Sequence, residues 1–248
     1  MPYRIQDFNE ELINFIRTGH RSLEYRNIVE QVLSVIIELG LGDDSKVLDI
    51  GAGVLAPISK GIIKVLPEIK ITCLDELKNI VELEPNISWI QTNMLHAELN
   101  LGQFDALFWI SPYLGKAWFD GSFESLVVKL AKNLKPNGLF MFDTFEYQSL
   151  EVGAVIEKTV KNGKFNSKTI FTKSAPDIYE GKRVFESGKE MDLIWKVFTD
   201  QELENIFQQA GLRLKKRLHA FGENLTKNIK ELIDYKNSAR NIYIFEKN

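Results

Sequence analysis

The chain has a single cysteine and no long apolar run. Cys73 stands alone, which excludes an internal disulfide and a metal site built from several thiolates. None of the apolar stretches approaches the roughly 18 residues that a membrane span needs, and the amino terminus lacks the charged-then-apolar pattern of a signal peptide. Biased tracts are also missing. With 44 % hydrophobic and 26 % charged residues among 248, the sequence predicts a globular protein of the cytoplasm.

Charge is nearly balanced, with 31 basic and 34 acidic residues and a net charge of −3. The balance differs along the chain, being −4 over residues 1–45, −3 over 46–150 and +4 over 151–248. These values lie far from the strongly basic character of proteins that bind nucleic acids through phosphates, so we expect no nucleic-acid partner. The basic carboxyl-terminal part indicates either an anionic small-molecule partner or an ordinary solvated surface.

Strands and helices alternate through residues 46–145. Two helices are predicted before them, and in the second the apolar residues recur at helical spacing up to Gly40, a suitable cap. The predicted helices are Phe8–Arg17, Ser22–Leu39, a segment opened by Pro57, a short one after Asp75, and Ser122–Leu134. The predicted strands are Val47–Ile50, Ile69–Leu74, Ile87–Gln91, Phe104–Ile110 and Gly138–Asp143. Such alternation predicts an α/β fold with a mainly parallel sheet covered on both faces.

The alternation stops after residue 145. Residues 155–197 mix β-branched and aromatic residues with Gly, Asn and Lys, which predicts hairpins. A helix resumes after Thr199, which has capping-box spacing with Glu202. Two closing strands, Leu212–Ala220 and Asn241–Glu246, flank a helix near Asn224–Tyr235. We expect one domain over residues 1–248, made of amino-terminal helices (1–45), a core (46–145), a β-rich insertion (155–197) and closing elements (199–248).

A glycine-rich turn follows the first predicted strand, at Gly51 and Gly53. Glycines between a strand and a helix permit positive φ and close approach of a ligand to the main chain. Asp75 ends the next strand beside the same crevice, where a carboxylate can accept hydrogen bonds from both ribose hydroxyls. The spacing of Gly51, Gly53, Ala56 and Asp75 also fits the dinucleotide fingerprint. From spacing alone, an NAD enzyme and a tight turn without a ligand both stay open.

Residues 47–53, VLDIGAG, resemble motif I of the class I S-adenosylmethionine-dependent methyltransferases, in which an acidic residue precedes the first glycine by two positions. Nucleotide dehydrogenases generally have an apolar residue there. Further segments resemble later parts of the family in the same order: Cys73–Asp75, Gln91–Met94, Phe104–Leu107, Leu134–Gly138 and Thr199–Leu212. The resemblance implies a Rossmann-like, seven-stranded, mostly parallel sheet with helices on both faces, an amino-terminal helical cover and the β-rich insertion.

The resemblance also implies S-adenosyl-L-methionine as cofactor and S-adenosyl-L-homocysteine as product. Two positions depart from the family pattern. Leu55 replaces the third glycine of motif I, and Asn93 stands where Asp is frequent, although an amide oxygen can still accept a hydrogen bond from the adenine amino group. The implied cofactor-binding residues are Asp49, Gly51, Ala52, Gly53, Asp75, Glu76, Asn93, Met94 and Trp109.

The implied reaction is in-line transfer of a methyl group from a sulfonium to a nucleophile, which depends mainly on positioning and needs no metal. A base is needed only where the acceptor loses a proton. Candidates on the acceptor side are Tyr113 in the segment Ser111-Pro112-Tyr113, Asp143 at the end of the fifth strand, and His219 on a late strand. Packing, helix capping and an ordinary structural histidine are the respective alternatives. The three histidines show no metal-ligand spacing.

The amino-terminal helices and the insertion are expected to cover the acceptor, because closure excludes water and fixes a small molecule. A small-molecule methyltransferase is therefore the preferred interpretation. The alternatives are an NAD-type Rossmann oxidoreductase, a non-catalytic S-adenosylmethionine-binding or partner protein, and a methyltransferase acting on RNA or protein. The sequence indicates neither the acceptor nor the oligomeric state.

Overall fold

The computed structural model of the chain describes residues 23–79, 81–110, 114–146, 151–160, 167–219 and 239–248. The predicted helices at Phe8–Arg17 and Asn224–Tyr235 lie outside these residues, as does the segment Ser111–Tyr113. No helix in the described ranges is long and apolar enough to cross a membrane.

A central sheet of seven strands runs through the described core. Its strands are β1 (Lys46–Ile50), β2 (Lys70–Asp75), β3 (Ile87–Gln91), β4 (Phe104–Trp109), β5 (Leu134–Glu146), β10 (Leu212–His219) and β11 (Ala239–Lys247). Their order across the sheet is β10-β11-β5-β4-β1-β2-β3. Neighbours from β5 to β3 pair in parallel, whereas β11 pairs antiparallel with both β5 and β10. This confirms the predicted mostly parallel, Rossmann-like sheet.

Helices cover both faces of this sheet, as predicted. Apolar residues of α1 (Leu23–Glu38) and α2 (Pro57–Ile63) are buried against one face in a cluster with Val47 and Ile71. On the other face, α3 (Ser122–Ala131) and α4 (Asp200–Gln209) are buried in a cluster rich in aromatic residues. The side chain of Thr199 accepts a hydrogen bond from the backbone of Glu202, and the Glu202 carboxylate accepts one from the backbone of Thr199. This capping box fixes the start of α4.

A second sheet of four antiparallel strands occupies the region in which hairpins are predicted. Its order is that of the chain, β6 (Val155–Val160), β7 (Ser167–Ala175), β8 (Ile178–Phe185) and β9 (Glu190–Lys196). Side chains alternate along β7 between buried and exposed positions. The sheet therefore has one buried and one exposed face.

One predicted helix and the bounds of two predicted elements are wrong. The expected short helix after Asp75 is absent from the described part of residues 76–86, where the Asn79 side chain donates to the Val81 carbonyl instead of leaving it to a helical hydrogen bond. The helix predicted to reach Leu134 ends at Ala131, and Leu134 begins β5. β5 is therefore longer than the predicted Gly138–Asp143, and its first residues form an irregularity opposite β4.

A candidate cofactor site at the carboxyl edge of the central sheet

The candidate site lies where the carboxyl ends of β1, β2 and β3 meet. In parallel sheets, ligands bind in the crevice outside these strand ends. The turn after β1 begins at Gly51, Asp75 is the last residue of β2, and Asn93 follows β3 by two positions. The fold thus brings together the glycine turn and the polar residues that the sequence places far apart.

Glycine is favoured at Gly51 and Gly53, where φ is +64° and +66°. The Gly51 N–H donates to the Leu74 carbonyl at 2.7 Å, which anchors the turn to β2. A Cβ at Gly53 would meet no atom within 4 Å, so the main chain there borders open space. Leu55 does not adopt a left-handed conformation, whereas Ala56, the N-cap of α2, has φ of +42°. The backbone conformation at position 55 therefore does not need a glycine, and Leu55 fits there without strain.

Asp75 links the end of β2 to the glycine turn. Its Oδ2 accepts a hydrogen bond from the Gly53 N–H and its Oδ1 one from the Leu77 N–H, both at 2.8 Å. Burial raises the pKa of the carboxyl, and the two backbone hydrogen bonds oppose this rise. Because a carboxylate offers about four acceptor positions, Asp75 retains the capacity to accept two hydroxyl groups. This is the capacity that ribose recognition needs.

Glu76 and Asn93 form a bridge between the ends of β2 and β3. The Asn93 Nδ2 donates to Glu76 Oε1 at 2.8 Å, and Asn93 Oδ1 accepts the Leu95 N–H at 3.0 Å. The amide oxygen expected to face adenine is thus already used once, which leaves it one lone pair. Met94, the next predicted contact, is partly buried and packs towards the aromatic cluster.

Asp49 lies beneath the glycine turn and does not line its open side. Its carboxyl is 2 % exposed, and its Oδ2 accepts a hydrogen bond from Ser59 Oγ at 2.6 Å. Burial raises its pKa to about 7, the Ser59 hydrogen bond opposes this rise and the charge of Asp75 adds to it. Ser59 Oγ also lies 3.2 Å from the sulfur of Cys73, whose thiol is buried and has a raised pKa. The Asp49 side chain therefore joins β1 to α2.

Ser59 is a functional candidate that the sequence reasoning missed. It is a fully buried hydroxyl on α2, among the apolar residues Ile58, Ile62 and Ile63. A polar residue on the inward face of a helix that follows a glycine turn is a signal readable from the sequence, because its hydroxyl needs a partner. In this fold the partner is Asp49.

Trp109 lies beneath the turn, and Ala52 is part of it. Trp109 is 1 % exposed, packs at 5.8 Å from the ring of Phe123, and its Nε1 lies 3.9 Å from the position that a Cβ of Gly51 would take. Ala52 is buried in the cluster on the opposite face. Both positions support the backbone of the crevice, so their direct contact with a cofactor stays a prediction.

The three candidate residues on the acceptor side, Tyr113, Asp143 and His219, lie on different elements of the chain. Asp143 is buried on β5, two positions beyond Met141 and on the same face of the sheet. His219 ends β10 and pairs with Asn241 of β11, so β11 separates it from β5. The side chain of His219 and the whole of Tyr113 lie outside the described part of the chain. The described residues therefore do not bring these candidates to one point.

The strand order distinguishes the two nucleotide-binding interpretations. Dinucleotide-binding sheets have the order 3-2-1-4-5-6, whereas here the antiparallel β11 is inserted between β5 and the edge strand β10.

No protein-family model matches the sequence, and no curated protein is significantly similar to it. Solved structures, however, match over nearly the whole chain.

An S-adenosylmethionine-dependent methyltransferase from Clostridium acetobutylicum superimposes with a TM-score of 0.68 at 13 % identity, covering 95 % of this chain and 99 % of that one. DesVI from Streptomyces venezuelae gives 0.67 at 14 % identity, with 99 % and 100 % covered. CalS10, an S-adenosylmethionine-bound amino pentose methyltransferase from Micromonospora echinaspora, gives 0.64 at 13 % identity, also with 99 % and 100 % covered. The chain has the class I methyltransferase fold. In this methyltransferase fold, the crevice described above occupies the carboxyl edge of the sheet.

Proposed function

We propose that the chain is an S-adenosyl-L-methionine-dependent methyltransferase that acts on a small molecule. The observation that carries this proposal is the position of Asp75, which ends β2 and holds the Gly53 N–H in a chain with the methyltransferase fold. The open space above Gly53 and the remaining acceptor capacity of Asp75 fit a nucleoside with two ribose hydroxyls.

Different residues of the crevice would bind different parts of the cofactor. Asp75 would accept hydrogen bonds from the ribose, and the backbone of Gly51 and Gly53 would border the part of the cofactor that carries sulfur. Glu76 and Asn93, which already bond to each other, would border the base. When bound, S-adenosyl-L-methionine supplies a methyl group on a positively charged sulfur, and S-adenosyl-L-homocysteine is the product.

The protein contributes mainly by orientation. Displacement at the methyl carbon requires the acceptor to lie opposite the leaving sulfur, so holding it there supplies most of the rate enhancement. Acceptors that must lose a proton need a base, for which Asp143 and His219 are the candidates, and Tyr113 is the candidate for positioning. No metal is needed for this reaction.

Several neighbours in fold support a small-molecule acceptor. CalS10 is an amino pentose methyltransferase, KedS8 is a sugar N-methyltransferase, and a protein from Burkholderia thailandensis is a 1,6-didemethyltoxoflavin-N1-methyltransferase. The second sheet supports the same choice, because β9 packs beside the 3-10 helix Gly115–Trp118, which follows β4 at the carboxyl edge. A sheet in this position suits a cover over a small acceptor.

Part of the positive charge in the carboxyl-terminal region of the chain is paired with carboxylates. On β10, Arg213 and Lys215 both pair with Glu246, and Arg217 pairs with Asp200. These cations are neutralised by neighbours, so they give little support to an anionic acceptor.

The test of the proposal is binding of cofactor to the intact chain. Calorimetry is expected to show binding of S-adenosyl-L-methionine and S-adenosyl-L-homocysteine, each raising the melting temperature, and no binding of NAD. Binding of NAD without the other two would refute the proposal. Incubation of a cell extract with enzyme and labelled S-adenosyl-L-methionine, followed by mass spectrometry, would then identify the acceptor.

Replacing Asp75 with alanine tests the crevice itself. Asp75→Ala is expected to weaken S-adenosyl-L-homocysteine binding by about 1–3 kcal/mol, the range for leaving buried polar groups without partners. Asp105→Ala is the matched control, because Asp105 also accepts a backbone N–H, that of Lys46 at 2.8 Å, but at the opposite edge of the sheet. Equal affinities of the two variants would show that the crevice is assigned wrongly.

A further inference from the structure

A hydrogen bond between two side chains joins the segments that follow β2 and β3 at the carboxyl edge of the central sheet. The Asn93 Nδ2 donates to Glu76 Oε1 at 2.8 Å, and both residues are half-buried. Position 93 is the one from which the sequence resemblance implies a direct contact with the base of the cofactor. In this chain, however, the amino group of that side chain is bound by a carboxylate.

The orientation of the Asn93 amide is fixed by the backbone. Its Oδ1 accepts the Leu95 N–H at 3.0 Å, and because a backbone N–H can only donate, the amide oxygen faces Leu95 and the nitrogen faces Glu76. Hydrogen bonds also close the turn that follows, since the Asn93 carbonyl accepts the Ala97 N–H at 3.0 Å. From α3, the Lys129 Nζ donates to the Leu95 carbonyl at 3.3 Å. Asn93 is therefore held as a donor towards Glu76.

The backbone of Glu76 is fixed at the same edge. The Gln91 Nε2 donates to the Glu76 carbonyl at 3.2 Å, and the Thr92 N–H donates to the Asp75 carbonyl at 2.8 Å. Burial and, to a smaller extent, the charge of Glu76 raise the pKa of Asp75, so the two carboxyl groups lie near each other. The Glu76 carboxylate is thus next to the group that we propose for the ribose.

One oxygen of the Glu76 carboxylate is left for a further hydrogen bond. Oε1 accepts the Asn93 amide, whereas Oε2 accepts no hydrogen bond in the part of the chain that the structure describes. A carboxylate accepts through both oxygens, and hydrogen bonds to an ionised acceptor are stronger than those to a neutral one. The exocyclic amino group of adenine is a donor. It therefore complements the remaining oxygen of Glu76.

We propose that Glu76 accepts a hydrogen bond from the exocyclic amino group of the adenine base, and that Asn93 positions the Glu76 carboxylate and does not itself bind that amino group. This inference rests on the proposed function. It replaces the direct contact implied for Asn93 with one made through its hydrogen-bonded neighbour. The consequence is selectivity for a 6-amino purine, because a 6-oxo group would set an acceptor against the carboxylate.

Calorimetry of the full chain with S-adenosyl-L-homocysteine and S-inosyl-L-homocysteine measures this selectivity. The two ligands differ only at one edge of the purine, where the second has an oxo group and a protonated ring nitrogen. The chain is expected to bind the 6-amino ligand at least about tenfold more tightly than the 6-oxo ligand. Equal binding of the two would overturn the proposal, and this comparison needs no variant to fold.

Glu76→Gln is expected to abolish the selectivity. The Asn93 Nδ2 would still donate to the oxygen of the new amide, so the amide NH2 would face the base and favour the 6-oxo ligand. Glu98→Gln, at an exposed carboxylate in the segment after β3, is the control and is expected to leave both affinities within about twofold. An unchanged preference in Glu76→Gln would contradict the proposal. So would an equal loss for both ligands, which would assign Glu76 to the ribose.

Asn93→Asp separates positioning from direct binding. It introduces the residue frequent in the family, but sets two carboxylates against each other where a hydrogen bond of 2.8 Å joined the side chains. S-adenosyl-L-homocysteine binding is expected to weaken by about tenfold. Adding Glu76→Gln is expected to restore the preference for the 6-amino ligand, because the new amide can donate to the carboxylate at position 93 and turn its oxygen to the base.

Two outcomes of this pair of variants would overturn the proposal. Tighter binding of S-adenosyl-L-homocysteine by Asn93→Asp alone would show that residue 93 binds the amino group directly. A double variant with no more preference for the 6-amino ligand than Glu76→Gln alone would show that the two side chains do not act together. Comparing two ligands within each variant removes any loss of affinity that both ligands share.

The outcome also separates this inference from the proposed function. Binding of S-adenosyl-L-homocysteine with the same preference in all variants would leave the methyltransferase proposal intact and reject the role of Glu76. Failure of the chain to bind S-adenosyl-L-homocysteine would reject the methyltransferase proposal and this inference with it.

Discussion

Replacing Asp49 with asparagine is expected to stabilise the protein at pH 8 and to leave its stability nearly unchanged at pH 4. The carboxyl is 2 % exposed and accepts a hydrogen bond from Ser59 Oγ. Burial raises its pKa from 3.8 to about 7. Asparagine has no charge to bury, and its side-chain oxygen can still accept the hydrogen bond from Ser59.

The direction of this pH dependence follows from the number of protons that the folded and unfolded states bind. In the unfolded chain Asp49 ionises near pH 4, whereas in the folded protein it keeps its proton up to about pH 7. Between these values the folded state binds one more proton than the unfolded state, so the contribution of Asp49 to stability falls as the pH rises. At 1.36 kcal/mol per pH unit, the loss amounts to about 4 kcal/mol at pH 8. Asp49→Asn does not have this loss, because asparagine does not ionise.

Urea unfolding of both proteins between pH 4 and pH 8 measures the effect. The difference in unfolding free energy between Asp49→Asn and the parent chain is expected to grow from near zero to about 4 kcal/mol, while the titration of groups that do not interact with Asp49 cancels. Asp105→Asn, at a partly exposed carboxyl on β4, provides the control and is expected to show no such gain. A difference for Asp49→Asn that does not vary with pH would refute the reasoning, since the carboxyl would then keep its ordinary pKa.

Two further substitutions test the local structure around the site and the second sheet. Gly51→Ala forces an alanine into φ of +64° and is expected to lower the unfolding free energy by about 1–2 kcal/mol in urea, whereas Gly42→Ala, at ordinary φ and in open space, is expected to be harmless. Thr199→Ala removes the capping box of α4 and is expected to lower the melting temperature by an amount equivalent to about 1 kcal/mol. An unchanged stability of Gly51→Ala would show that the turn does not need a positive φ there. An unchanged stability of Thr199→Ala would show that the capping box does not stabilise α4.

The central part of the site was predictable because its signals are local. Two glycines directly after a buried strand, and Asp75 at the end of the next, suffice to place the crevice. The pairing of Asp49 with Ser59 was not predictable in the same way, because it depends on the phase of α2 relative to β1. A shift of α2 by one residue would turn the hydroxyl about 100° away from the carboxyl.

The end of α3 shows why boundaries were harder to predict. Leu134 continues the helical spacing of Phe123, Val127 and Leu130, and it is buried in the same cluster. The helix nevertheless stops before Asn133, whose side chain donates to the Lys129 carbonyl and accepts the N–H of Leu101. Since Leu101 is distant in sequence, this stop signal exists only in the folded chain.

The second sheet illustrates a different limit. Its composition predicts strands, but an alternating strand in which both faces carry lysine does not reveal which face is buried. Lys168 and Lys173 lie on the same strand and differ in position by an odd number of residues, so they face opposite sides. Only the packing against the rest of the chain decides that Lys173 is the buried one.

Among the described strands of the central sheet, β10 lies at the edge, and its side chains bear on contacts between molecules. An unpaired strand edge is a template on which another chain can add a strand, and natural sheets guard against this with charged side chains and bulges. β10 has both, since Arg213 and Lys215 are exposed and a register shift occurs between Leu214 and Lys216. A strand added here would have to bury cations already bound to Glu246. We therefore expect the basic residues of β10 to disfavour its pairing with a strand of another molecule.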